Sequence, residues 1–190
     1  MKKWLVLAAM VAVLAGCGSG GAKEASESTT SKLEVSSSEK KIKLKAVDFQ
    51  VEGTAYKMKI IDNWKVLEDE GFSFSAENED KVEGIMVYGL KKMDIDNFDV
   101  FKTAMRERMI STKEFQIKEE TIKEESYQTT HFKGDLYSFM GTYEGVNAEV
   151  RFYLLETEED YVFLNIIGLP SFFVKKGNVV NEMLNSFVTG

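Results

Sequence analysis

The side chains best suited to nucleophilic or acid–base chemistry are scarce in this sequence. There is one cysteine, Cys17, and one histidine, His131, among 190 residues. A Cys–His pair would supply a thiolate and a Ser–His–Asp set an activated hydroxyl, but each needs a base held beside its nucleophile. His131 lies in Thr129-Thr130-His131-Phe132-Lys133-Gly134 and reads as a half-exposed strand or turn residue rather than a general base. No serine sits in a Gly-x-Ser-x-Gly elbow. A lone cysteine excludes an internal disulfide framework and Cys-rich zinc sites, and a lone histidine excludes multi-His metal centres.

Carboxylates are the abundant reactive groups. They cluster at Glu77-Asn78-Glu79-Asp80, Glu119-Glu120, Glu124-Glu125 and from Glu156 to Asp160. None of these runs has the alternating oxygen ligands, central Gly and terminal Glu of a calcium loop, so they read as solvated turns and strand faces. The glycines Gly18, Gly20 and Gly21 follow no strand and precede no Lys-Ser/Thr, so they are not a phosphate loop. Nine Met and thirteen Phe suit core packing better than a cofactor box. The net charge of −7 argues against nucleic acid, whose binding rests on basic residues neutralising phosphates. No catalytic residue, cofactor or metal is expected, and the chain reads as a non-enzyme. The alternative is a small enzyme using carboxylate, Lys or Tyr chemistry, which demands a pocket of converging ionisable groups with shifted pKa values.

The thiol has a different use. Met1-Lys2-Lys3 is a short basic start, and Trp4 to Leu14 is an uncharged run of 11 residues. As a helix that run is only about 16 Å long, roughly half of the ~30 Å hydrocarbon core, so it is too short for a permanent span. Basic region, apolar region and small residues together form an export signal. The sequel Leu14-Ala15-Gly16-Cys17 resembles the bacterial lipobox. That resemblance implies a diacylglycerol joined to the Cys17 sulfur and cleavage between Gly16 and Cys17. The freed Cys17 amine is then open to acylation. Two chains hold a protein on a membrane stably where one does not. The implied address is the extracytoplasmic face of the cell membrane, with the membrane itself as partner through Cys17. The reading also leaves room for an envelope protein partner.

Loss of residues 1–16 removes Lys2 and Lys3 and moves the side-chain balance from −7 to −9. An acidic body is mildly repelled by anionic headgroups, so the domain is expected to stand off on its tether. Residues 18–41 are nearly all small or polar, with only Leu33 and Val35 large and apolar. That composition predicts a disordered tether with a reach of about 25–30 Å. The chain therefore divides into a signal (1–16), the lipidated cysteine with its tether (17–41) and one globular domain (42–190). The last has 149 residues, enough to bury roughly 70% of the extended chain's surface. The two-lobed receptor of a solute importer ranks lower, because this length suits one lobe.

Within the domain the periodicity is mostly that of strands. Tyr56, Met58 and Ile60 alternate with lysines across Ala55–Ile61, and Phe72 and Phe74 alternate with serines. Ile85–Leu90 and the stretch from Phe115 to Ile122 are further candidates. Leu136–Tyr143, Ala148–Glu156 and Tyr161–Gly168 are the best marked, joined by short turns at 144–147 and 158–160, which implies antiparallel hairpins. Tyr161–Ile167 is apolar on both faces except at Asn165, as in a strand covered on both sides. Two helices are available to cover it. One is capped by Asp96 or Asn97 and carries Phe98, Phe101, Met105 and Met109 to about Thr112; the other carries Val179, Val180, Met183, Leu184 and Phe187, with Gly177 obscuring its start.

Tyr56 to Trp64, the central helix, the long hairpin strands and the closing Glu182–Phe187 resemble the layout of PsbP-like domains, which include the Mog and DcrB proteins. The resemblance covers roughly residues 54–188. It departs from the family where Ile61-Asp62-Asn63 stands in place of a turn with Pro. It implies an α+β fold, a mainly antiparallel sheet of about six to eight strands sandwiched between helices (α/β/α), and non-enzymatic binding roles. Trp64 is expected in the core beside the first long strand.

Overall fold

The computed structural model describes residues 41–190, apart from 69, 111–114 and 144. The signal, Gly16, Cys17 and the tether up to Lys40 lie outside the described residues, as do the expected helix boundary at Thr112, the side chain of Met109 and the turn residue Glu144. Residues Ile42–Gly190 form one compact unit.

The alternating lysines and apolar residues of the first segment fold as a hairpin. β1 (Leu44–Val51) pairs antiparallel with β2 (Thr54–Ile61) through a turn at Glu52 and Gly53. Both turn residues have positive φ, 46° and 84°, the geometry that matches the twist of the flanking strands. Tyr56, Met58 and Ile60 point into the core and Lys57 and Lys59 to solvent. The two-residue β11 (Val188–Thr189) pairs with β2 and completes a three-stranded sheet in the order β1-β2-β11.

The second sheet contains β3 (Lys65–Leu67), β4 (Phe74–Glu77), β5 (Gly84–Lys91), β6 (Phe115–Ile117), β7 (Lys123–Gln128), β8 (Lys133–Tyr143), β9 (Val146–Glu156) and β10 (Asp160–Gly168). Its order is β3-β4-β5-β10-β9-β8-β6, with β7 also on the edge of β8, and every pairing is antiparallel. The β8–β9 hairpin is tighter than the sequence suggests: Tyr143 pairs with Val146, and Gly145 supplies the positive φ of 83°.

β10 explains the architecture. Its Val162, Leu164 and Ile166 pack with Val180, Met183 and Leu184 of α2 (Pro170–Asn185). Its Tyr161 and Phe163 pack with Phe101 and Met105 of α1 (Phe98–Ile110). The strand is apolar on both faces because a helix lies on each. The fold is thus α+β with mainly antiparallel sheets, as expected. The three-stranded sheet is an addition: it shares the α2 side and contributes Tyr56, Met58 and Ile60 to that core.

Of the two expected caps of α1, Asn97 is the one used, its Oδ1 accepting the Val100 N–H at 3.0 Å. Several local details differ from the sequence expectation. The strand near Phe72 starts at Phe74. α2 begins nine residues before Val179, with Pro170 in its first turn, where the missing N–H leaves no helical bond unmade. β1, β3, β7 and β11 have no counterpart in the expected strands. β7 is mostly exposed Lys, Glu and Gln at a sheet edge, where charge discourages further pairing.

Candidate functional site

Where the three-stranded sheet meets the larger one, Asp160, Thr157 and Tyr56 are shut away from water, with the partly exposed Lys91 and the exposed Glu159 at their rim. β10 opens with Asp160, which has no exposed surface. The preceding turn is tied locally: the Asp160 N–H donates to Thr157 Oγ1 at 3.0 Å, and the Thr157 N–H donates to the Asp160 carbonyl at 2.9 Å. This turn aims the Asp160 carboxylate at β2. Tyr56 donates its phenolic proton to Asp160 Oδ2 at 2.7 Å, with Thr157 Oγ1 2.9 Å from the same hydroxyl. At the end of β5, Lys91 Nζ lies 3.3 Å from Asp160 Oδ1 and 2.8 Å from Glu159 Oε2. Lys91 Nζ also donates to Thr54 Oγ1, and that hydroxyl donates to Glu159 at 3.3 Å.

The protonation states follow from these contacts. Burial foremost pushes the Tyr56 phenol well above its usual range; Thr157 opposes the shift and the Asp160 carboxylate adds to it. The hydrogen bond to Glu159 raises Lys91, and the same bond lowers Glu159. Tyr56 therefore stays a phenol and Lys91 an ammonium at neutral pH. Neither is poised as a base or a nucleophile, since both roles need a pKa near the working pH. What the cluster does is meet a buried carboxylate from two sides, with a hydrogen bond from Tyr56 and the charge of Lys91, while joining β2, β5 and the start of β10.

A second polar group sits on β9 under the first turns of α2. Arg151 donates from Nε and Nη2 to Glu149 Oε1, at 2.8 and 2.7 Å, and its guanidinium lies 4.2 Å from the centre of the Phe173 ring. Burial first of all pushes Tyr153 up to about 12, and nearby Arg151 opposes it. Tyr127 meets Tyr153 edge-on at 4.8 Å. The arginine charge is met by Glu149 and the ring above it, so this group also packs rather than presents.

The residues singled out from the sequence are dispersed. His131 is exposed in the β7–β8 turn, its N–H donating to Thr129 Oγ1 at 3.1 Å. Asn78 folds its own acidic turn by accepting the N–H groups of Val82 and Glu83. Glu124 meets Arg106 and Glu156 meets Lys92. Among the described residues, no three His, Cys, Asp or Glu side chains gather as metal ligands. The run Glu156–Asp160 requires a correction. It is not uniformly a solvated turn, because Asp160 is its buried end, paired with Tyr56 and Lys91 that lie 104 and 69 residues earlier. Trp64 is in the core as expected, 1% exposed and stacked on Phe172 at 6.2 Å. Two open depressions lie on the described surface, one along Val100 and Glu107 of α1 beside its cap Asn97 and one across Asp48, Gln50, Tyr56 and Lys57. Neither takes in Asp160 or Lys91.

No family model and no curated protein matches this sequence. Solved structures do match its fold. Cyanobacterial PsbP (CyanoP) from Synechocystis sp. PCC 6803 superposes with a TM-score of 0.51 over 77% of this chain and 92% of its own, at 6% identity. The chain has a PsbP-like fold. LpqN, involved in cell envelope biogenesis of Mycobacterium tuberculosis, gives a TM-score of 0.50 over 77% of this chain and 92% of its own, at 13% identity. A protein of Bacteroides thetaiotaomicron gives 0.51 at 14% identity, and there this chain spans 48% of the other's length. At these identities the likeness is one of fold alone. Among the described residues no helix is long and apolar enough to cross a membrane.

Proposed function

We propose that the protein is a lipoprotein of the cell envelope, cut between Gly16 and Cys17 and held on the extracytoplasmic face of the membrane by a lipid on Cys17. Its domain acts there as a non-catalytic binding or accessory module. The observation that carries the proposal is the sequence Leu14-Ala15-Gly16-Cys17, placed after a basic start and an 11-residue apolar run and before a Gly/Ser-rich stretch. Two further features support it. The PsbP-like fold is shared with LpqN, a protein involved in cell envelope biogenesis. The cluster around the buried Asp160 holds Tyr56 and Lys91 protonated, which suits a structural joint better than the enzyme alternative.

The experiment compares the full chain with Cys17→Ala in cells fed labelled palmitate. The native chain takes up label and fractionates with membranes, and the variant does neither. Equal labelling and equal membrane recovery of the two would remove the anchor and the functional class that depends on it.

A further inference from the structure

We propose that the free edge of β1 takes up an extended peptide segment of a partner protein, basic in its N-terminal half, as a further strand of the three-stranded sheet. This rests on the reading of the domain as a binding module and names the chemistry of its partner. The free edges of the two sheets differ. β3 ends the larger sheet after only three residues, and β7 presents charged side chains, both of which blunt an edge. β1 does neither. Its register with β2 runs unbroken over eight residues, without Pro or bulge and with Lys45 and Asp48 as its charged residues. The turn at Glu52 and Gly53 makes Val51 and Thr54 a hydrogen-bonded pair, and bonded pairs alternate from there. The far edge of β2 has the matching phase: the Ala55 carbonyl accepts the Gly190 N–H, and the Lys59 N–H donates to Ser186 Oγ, both at 2.8 Å. Gln50 and Ala46, which face Ala55 and Lys59, therefore turn their N–H and C=O groups to the open side, as do Leu44 and Asp48. No strand among the described residues pairs with them.

The larger sheet supplies a floor beside this edge. β1 passes over β5, β4 and the start of β3 in turn: Val51 packs against Gly89, Phe49 stacks on Phe74 at 4.9 Å, and Lys45 Nζ donates to the Trp64 carbonyl at 2.6 Å. β3 itself is uncovered. Val66 points to the same side as Trp64 and its own partner Ala76, both in the core, yet is 52% exposed. A strand added to β1 lays every second side chain over Val66 and the half-buried Val47 and Phe49, and apolar residues suit those positions. Charge then selects among such segments. Residues 66–80 hold six acidic side chains and no basic one. Glu68 and Glu70 are exposed where β3 ends, level with Phe74 because Leu67 pairs with Ser75. Asp48 and Glu52 add to the Val51 end of β1, and none of these four acids is in an ion pair with a described residue. Of the lysines around them, Lys57 stands across from Asp48, Lys91 is taken by Glu159 and Asp160, and Lys45 and Lys65 lie toward the Leu44 end. A segment antiparallel to β1, like every other pairing of the fold, starts at the Val51 end. Basic residues in its first half therefore meet the acids.

The probe is a fluorescein-labelled peptide of about eight residues in which valine alternates with lysine in the first half and with threonine in the second. It is added to the purified full-length protein in detergent micelles, and its anisotropy is expected to rise. Glu68→Lys with Glu70→Lys weakens binding by at least about tenfold, whereas Glu119→Lys with Glu120→Lys, the same change of net charge between β6 and β7, leaves it within about twofold. The peptide with its lysines in the second half binds about tenfold more weakly. N-methyl groups on one alternating set of peptide amides abolish binding and on the other set preserve it, the signature of a strand paired along one edge. Ala46→Pro removes an outward donor without breaking a β1–β2 bond and weakens binding about fivefold. Should that variant disturb the Trp64 emission, the methylated peptides make the same test on the native chain. No rise in anisotropy, equal loss in both glutamate pairs, or equal effects of the two methylated sets overturns the proposal. A dimer that excludes the peptide and that Ala46→Pro dissolves gives the edge to a second copy and overturns it as well. Palmitate labelling reads the anchor separately: labelled protein that binds no peptide rejects this edge alone, and unlabelled protein that binds it rejects the anchor alone.

Discussion

Tyr56 of β2 and Asp160 of β10, 104 positions apart in sequence, share a 2.7 Å hydrogen bond across the joint between the two sheets. The carboxylate is fully buried and its other oxygen faces Lys91. Removing one partner of such a set leaves a buried group unmatched, which costs more than the bond itself contributes. Asp160→Ala is expected to destabilise the domain by about 3–4 kcal/mol and Tyr56→Phe by about 1.5–3 kcal/mol. In the double variant the losses are expected to fall short of their sum by at least about 1 kcal/mol. Urea unfolding followed by Trp64 emission measures all three, and strict additivity would show that the two side chains act apart.

This joint and the Arg151 group on β9 together set behaviour in alkali. Tyr56, Lys91 and Tyr153 are all raised above their ordinary values in the folded protein. Each stabilises the fold fully below its unfolded pKa of about 10, and the contribution disappears as pH rises toward the folded value. Between those two values the unfolded chain releases protons that the folded one retains. For Tyr153, pushed up to about 12, the loss amounts to roughly 2–3 kcal/mol. Stability is therefore expected to be flat from neutral pH to about 9.5 and to fall steeply by pH 11.5. Tyr153→Phe should flatten part of that fall. A wild-type and a variant with parallel alkaline limbs would contradict the assignment.

The difference between what sequence discloses and what it hides is visible in these residues. Periodicity reports which side of an element is wet, so the inward row Tyr56, Met58 and Ile60 and the doubly covered β10 were both legible. So was the cap at 96–97, because a short polar residue before an apolar stripe has few other uses. Asp160 was not legible. It ends a run of acidic residues, and its burial is decided by a tyrosine and a lysine brought from distant strands. β7 escaped notice for the opposite reason, since an exposed edge strand of charged residues has no apolar face to betray it. The early start of α2 does carry a signal in the sequence, the Pro170 at its first turn with Phe172 and Phe173 behind it.

Trp64 is buried, and its indole Nε1 has no hydrogen-bond partner among the described residues. An unpaired buried donor carries a desolvation cost of its own. Trp64→Phe should therefore cost only about 1–2 kcal/mol, because it removes that penalty along with part of the packing, whereas Trp64→Ala opens a cavity costing about 3–5 kcal/mol. The folded protein should emit at short wavelength and shift red on unfolding. Emission at the wavelength of free indole in the native state would place the ring in water and contradict its packing on Phe172. Thermal unfolding followed by circular dichroism supplies the stabilities of the variants that lack the fluorophore.

Two glycines test opposite consequences of the missing side chain. Gly177 lies inside α2, and a Cβ built there meets no atom within 4 Å. Nothing in the packing requires glycine at this site, and the residue weakens the helix through its backbone freedom. Gly177→Ala is expected to stabilise the domain by about 0.5–1 kcal/mol. Gly134 is the reverse case: it pairs with Leu155 in the β8–β9 ladder, and a Cβ there would run into the carbonyl group of Leu154. A backbone carbonyl cannot swing aside as a flexible side chain can. Gly134→Ala should therefore force the two longest strands apart and cost at least about 2–3 kcal/mol. Midpoints of urea unfolding at unchanged slope would report both shifts. If the two substitutions moved the midpoint in the same direction, either the β8–β9 contact or the open surface of α2 would be wrongly placed.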